Sequence, residues 1–189
     1  MKEKVVYQGG DKQHSEHFNR IFSIVVDPQN TNVFYSGGWD KMILTHDIRE
    51  PHSVSHFMGP YLSGDSLDIC DTTLLAGSYR SRDPIQLYDI TSGGLLEEYQ
   101  WQEDTDKNGG MIISSQFGHP KTDAIIAGSS TKKEVKILDS KDGSVLTQIT
   151  DFNGPVVALQ LDYQGKTLAI GTKSGGVVLL HYGEDVTEK

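Results

Sequence analysis

A chain of 189 residues carries one or two domains' worth of sequence, and its 26 acidic against 17 basic side chains leave a net charge of −9, which repels nucleic acid and anionic membrane surfaces outside any local basic patch. Twenty glycines and 36% hydrophobic residues fit a turn-rich globular protein rather than a disordered one. The single cysteine, Cys70, excludes an internal disulfide, no apolar run reaches membrane-spanning length, and the N-terminal "MKEKVVYQGGDK" has no signal-peptide core, so the expected location is intracellular, cytoplasmic or nuclear.

Residues 4–10, "KVVYQGG", read as a strand of a closing or preceding unit. A first unit then spans 20–58: "RIFSIVV", the turn "DPQNTN", "NVFYSG", "KMILTHD" and "SVSHFM". These runs are short, rich in Val, Ile, Phe and Tyr, and bounded by Gly, Pro, Asn and Asp, which predicts strands. The second unit (63–101) runs "SLDIC", "TLLAGS", "IQLYD", "LLEEYQW", and the third (111–150) "MIISSQF", "AIIAGS", "EVKILD", "VLTQITD". The fourth (155–182) offers three strands, "PVVALQLD", "TLAIGT" and "VVLLHY". "LLEEYQWQ" is the best helical rival, and its place in the series favours a strand.

A glycine ends the second strand of every unit, at Gly37, Gly77, Gly128 and Gly171, with separations of 40, 51 and 43 residues; a small residue precedes it in the first three units and Ile170 in the fourth. Self-similarity at this period marks a repeat architecture with one supersecondary unit per repeat. The longer middle spacing reflects the acidic stretch "EEYQWQEDTDKNGG" (97–110) together with an extended corner in the third unit.

On these residues the sequence resembles the WD-repeat β-propeller family over nearly the whole chain. The first unit carries the likeness best: His17, then Ile21, Ile24 and Val26, "DP", Ser36-Gly37, Asp40 and Asp47. The resemblance implies an all-β fold of about four WD-type four-stranded blades, in one domain over 1–189. It also implies a buried structural tetrad of His17, Ser36, Asp40 and His46, with His46 where the family carries Trp. The other units place Tyr88, Leu138 and Leu180 there and lack the upstream His. Propellers run to about 4 to 8 blades, and WD-type wedges suit the upper end, so four of them describe an open half-ring. Its ends are expected to be completed by another copy in a homodimer, by a partner subunit, or by a further segment of the chain.

No set of residues supports catalysis or a cofactor. "GKT" (165–167) lacks the upstream Gly of a phosphate loop and sits in a hairpin turn. The pairs His14/His17 and His52/His56 fall in loop or strand context, which gives no metal geometry, and "SGDS" (63–66) lacks the nucleophile elbow. Cys70 follows "LDI" in a predicted inner strand and reads as a structural thiol. The corners between second and third strands say more: Trp39, Lys41, Tyr79, Arg80, Arg82, Lys132, Lys133 and Lys173 stand against Asp40, Asp83 and Glu134. Basic groups beside aromatic rings suit a protein partner, in particular an acidic or phosphorylated peptide. The expected function is therefore a non-catalytic protein–protein interaction scaffold or adaptor. Two alternatives are a substrate receptor of a cullin-type ubiquitin ligase, suggested by His46-Asp47-Ile48-Arg49, and a propeller enzyme or its regulatory part.

Overall fold

The structure, a computed structural model, describes residues 16–101, 109–119 and 122–181. Blade 1 contains β1 (Ile21–Val26), β2 (Val33–Gly38), β3 (Met42–Asp47) and β4 (Ser53–Met58). Blade 2 contains β5 (Leu67–Cys70), β6 (Thr73–Gly77), β7 (Ile85–Asp89) and β8 (Leu95–Tyr99). Blade 3 contains β9 (Ile112–Phe117), β10 (Ala124–Ser129), β11 (Glu134–Asp139) and β12 (Val145–Ile149). Blade 4 contains β13 (Val156–Leu161), β14 (Thr167–Thr172) and β15 (Val177–His181). Within each sheet the strands lie side by side in chain order, all antiparallel, and the described residues include no helix. The strand expected at 4–10 lies outside the described residues.

The repeat is visible in the registers. Third and fourth strands slip by one residue at Thr45/His46, Leu87/Tyr88 and Ile137/Leu138, the same place in three blades. A bulge of this kind sharpens the twist of the sheet. The Asp that ends each third strand has a local task. Asp47, Asp89 and Asp139 each accept the backbone N–H two residues on, from Arg49, Thr91 and Lys141, at 2.8–3.0 Å. An Asx turn thus closes the third-to-fourth connection. In blade 4 the corresponding position is His181, paired with Thr167 as Asp47 is with Val33.

The core is a series of layers between blades. Tyr35, Ile43 and Phe57 of blade 1 meet Leu67, Leu74 and Tyr88 of blade 2. Leu75, Ile85 and Leu87 meet Ile112, Ile125 and Leu138 of blade 3. Ile126, Val135 and Ile137 meet Val156, Leu168 and Ile170 of blade 4. Each fully buried Leu or Ile contributes about 1.5–3 kcal/mol relative to exposure, so these layers hold the blades face to face. The inner strands follow one another around the hub: β1 touches β5, β5 touches β9, and β9 touches β13. No comparable contact joins β13 to β1 among the described residues, and the four blades form an open arc.

The recurring glycines are explained by these layers. A Cβ on Gly37 would stand 2.2 Å from Leu62 Cδ1, and one on Gly128 would stand 2.5 Å from Val156 Cγ1. One on Gly77 would stand 2.5 Å from Ser115 Oγ and 2.7 Å from Ile112 Cγ2. In each case the next blade's inner strand, or the loop leading to it, presses on the bare backbone. Any side chain there would force the blades apart.

Candidate interaction surface at the blade corners

Four polar side chains of blade 1 meet in one chain of hydrogen bonds. His17 Nδ1 lies 2.6 Å from Asp40 Oδ2, and His17 Nε2 lies 2.9 Å from Ser36 Oγ, which is 2.7 Å from His46 Nε2. Asp40 also accepts the backbone N–H of Phe18 at 3.2 Å. A carboxylate only accepts, so His17 Nδ1–H donates to Asp40, and the Ser36 hydroxyl bridges the two imidazole rings. His46 stacks on Phe34 with centroids 4.6 Å apart. Burial holds the His46 pKa down at about 4, against a smaller upward pull from Glu16. This network fixes the β2–β3 corner that carries Trp39 and Lys41. Lys41 itself adopts φ of 61°, in the left-handed region, at the tip of that corner.

The corners of blades 1 and 2 converge. Trp39 stacks parallel to Tyr61 at 6.2 Å, and Tyr61 stands 6.5 Å from Tyr79. Arg20 lies over the Trp39 ring at 5.2 Å, and Phe22 backs it at 5.0 Å. Beside this row a depression of about 370 Å³ is lined by Lys41, Gly59, Tyr61, Tyr79 and Arg80. The aromatic row therefore crosses the seam between two blades, with cations at its flanks.

The basic residues divide into two sets. Lys41, Arg82, Lys133 and Lys173 are exposed at the tips of four successive corners. Arg80 is engaged at home: its guanidinium donates to the Asp83 carbonyl and reaches Glu98 Oε1 at 2.6 Å. Lys132 is half-buried, its backbone N–H donating to Ser129 Oγ. The acidic residues nearby are also drawn inward. Asp40 belongs to the His17 network. Glu134 is buried and accepts from Trp101 Nε1 and Gln148 Nε2, each at 2.6 Å. The rim thus keeps four exposed cations against the half-buried Asp83.

Sequence reasoning passed over Tyr61, Arg20 and Phe22, because they lie outside the β2–β3 corner. Pro60-Tyr61-Leu62 has no counterpart in the other units that would mark it. It also passed over Lys136, which is buried over the Trp101 ring at 4.8 Å. Burial lowers the Lys136 pKa, while Glu134 pulls it the other way.

Cys70 lines a cleft between blades 2 and 3 with His119 and Asp123, and burial, reinforced by Asp71 and Asp68, pushes its thiol pKa up. A raised pKa keeps the thiol protonated and a poor nucleophile. Among the described residues no three His, Cys, Asp or Glu side chains come together as a metal site. His14 and residues 102–108 of the acidic stretch lie outside the described residues.

No protein-family model matches the chain, and no curated protein matches it. Solved structures do. The crystal structure of the computationally designed Ika4 protein superposes with a TM-score of 0.71 at 19% identity, covering 96% of this chain and 99% of that one. The computationally designed Ika8 protein superposes with a TM-score of 0.68 at 18% identity, covering 89% of this chain and 48% of that one. The chain thus spans about half the length of Ika8. At these identities the likeness concerns the fold, and the fold it supports is an all-β, four-bladed propeller-like repeat arrangement.

Proposed function

We propose that this chain is a non-catalytic, WD-repeat-type interaction scaffold whose corner surface captures an acidic or phosphorylated peptide of a protein partner. The observation that carries this reading is the row Trp39–Tyr61–Tyr79, which spans two blades and is flanked by Arg20 and Lys41. Flat aromatic rings anchor a peptide at low conformational cost, and Lys and Arg attract its carboxylates or phosphates. The WD-type reading draws its support from the hydrogen-bonded set His17, Ser36, Asp40 and His46 and from the terminal Asp of three third strands.

The test is a titration of a fluorescein-labelled acidic phosphoserine peptide followed by anisotropy. The combined substitutions Lys41→Glu, Arg82→Glu, Lys133→Glu and Lys173→Glu are expected to weaken binding tenfold or more while the circular dichroism spectrum stays that of the parent. Absence of binding by the parent, or equal binding by the variant, would overturn the proposal.

A further inference from the structure

The two ends of the arc carry matching halves of the contact that joins its blades internally. Ile112 pairs with Ser129, and Val156 with Thr172, just ahead of a slip in register; Ile21 pairs with Gly38 in the same way. Ile112 and Val156 press on Gly77 and Gly128 of the preceding blade and are 0% exposed, whereas Ile21 is 48% exposed. Ile24 shows the same contrast. It faces Ser36 as Leu67 faces Ala76 and Leu159 faces Ile170. Leu67 and Leu159 are 6% and 9% exposed, but Ile24 is 59% exposed. Blade 1 therefore presents the residues that would seat on a preceding blade.

Blade 4 presents the surface that would receive them. Gly171 occupies the register of Gly37, Gly77 and Gly128, facing the first residue of its third strand or a close neighbour. Its added Cβ would meet nothing closer than Ala158 of its own sheet, at 3.4 Å. Val177 and Leu179 stand beside it on the same face, 74% and 58% exposed. The polar clasp used elsewhere is replaced by an apolar group. Ser23 and Ser114 accept backbone N–H groups of the following blade, from Leu67 and Leu159, while the matching position in blade 4 is Ala158. Exposed apolar side chains gathered on one blade face mark an association site.

We propose that two copies of this chain associate head to tail, Ile21 and Ile24 of blade 1 in one copy seating on Gly171 and Ala158 of blade 4 in the other. A second copy is the occupant because it supplies the complementary face in the register of the three internal contacts. A two-fold ring then makes the same contact twice and leaves neither end open. The inference is independent of the peptide-capture reading, since it uses blade faces rather than corners.

Solution mass by light scattering tests it. At micromolar concentration the parent is expected at twice the 20.9 kDa chain mass. Ile21→Glu and Gly171→Lys, each at an open position, are expected to shift the mass to that of one chain with unchanged circular dichroism. Mixing these two variants is expected to restore the doubled mass, since one of the two contacts is then parental and the other joins Glu to Lys. A second measurement uses Ile21→Cys and Gly171→Cys together in a Cys70→Ser background, oxidised with copper phenanthroline. A covalent dimer supports the proposal. A parent at single-chain mass, a doubled mass that both charge variants retain, or a disulfide formed within one chain would each overturn it.

Discussion

His17 Nδ1 lies 2.6 Å from Asp40 Oδ2, tying the segment ahead of β1 to the corner between β2 and β3, 23 residues away. The same carboxylate oxygen accepts the Phe18 N–H. A buried Asp with two donors on one oxygen holds the entry to blade 1 against the corner that presents Trp39 and Lys41. Asp40→Ala is expected to cost about 1–3 kcal/mol, because it leaves the buried His17 side chain without its carboxylate partner and frees the Phe18 N–H. Urea denaturation checks this; an unchanged midpoint and slope would show that the network is ornamental.

Acid should weaken the protein through His46. Its pKa is held at about 4 in the fold by burial and returns to about 6.5 on unfolding. Between those values the unfolded chain binds the extra proton, so stability is full above about pH 6.5 and falls as pH drops towards 4. The loss is about 1–2 kcal/mol once partial solvent screening is allowed for. His46→Tyr, the side chain found at Tyr88 in blade 2, is expected to flatten this dependence. Urea midpoints measured at pH 7 and pH 4.5 for both proteins decide the matter.

Blade spacing should be sensitive to one methyl group. Gly128→Ala places a Cβ 2.5 Å from Val156 Cγ1, and overpacking of this kind costs about 1–3 kcal/mol. With Ile21→Glu also present in both proteins, so that no second copy covers the face, Gly171→Ala meets only Ala158 at 3.4 Å and is expected to stay within about 0.5 kcal/mol of that background. Thermal unfolding of the two variants side by side tests the contrast; equal losses would contradict the reading of the glycines as inter-blade contacts.

Glu134 holds three groups at the edge of blade 3: the Trp101 indole N–H, the Gln148 amide and, at 4.0 Å, the Lys136 ammonium. Glu134→Ala leaves the buried Lys136 ammonium with the Trp101 carbonyl but no carboxylate, strands the Trp101 indole N–H, and is expected to destabilise by about 3 kcal/mol. Lys136→Met in the same background should recover part of the loss. A double-mutant cycle measures it, and additive losses would show that the two groups do not interact.

Tyr61 is expected to matter for peptide capture although it lies outside the repeated corner. Tyr61→Ala removes the ring between Trp39 and Tyr79 and should weaken binding about 5- to 30-fold, the range of a 1–2 kcal/mol anchor. Anisotropy with the acidic phosphoserine peptide reads this directly, and full-affinity binding by the variant would exclude the aromatic row.

The fold was legible in the chain because its unit recurs. A glycine at Gly37, Gly77, Gly128 and Gly171, with apolar runs on both sides, repeats a local pattern that a row of similar sheets satisfies. The His17, Ser36, Asp40 and His46 set was nameable only through the first unit's resemblance to WD repeats, since the other units lack the upstream His. What the chain did not disclose is which charges remain at the surface. Arg80 and Glu134 look like corner residues in sequence, yet one binds Glu98 and the other turns inward to Trp101. Nor could it reveal that Tyr61, from a connection without a counterpart, slots between Trp39 and Tyr79. Periodicity reports strand order and facing, which depend on neighbours along the chain. Charge pairing, ring stacking and the openness of Ile21 and Gly171 depend on which blades come face to face, and only the tertiary structure decides that.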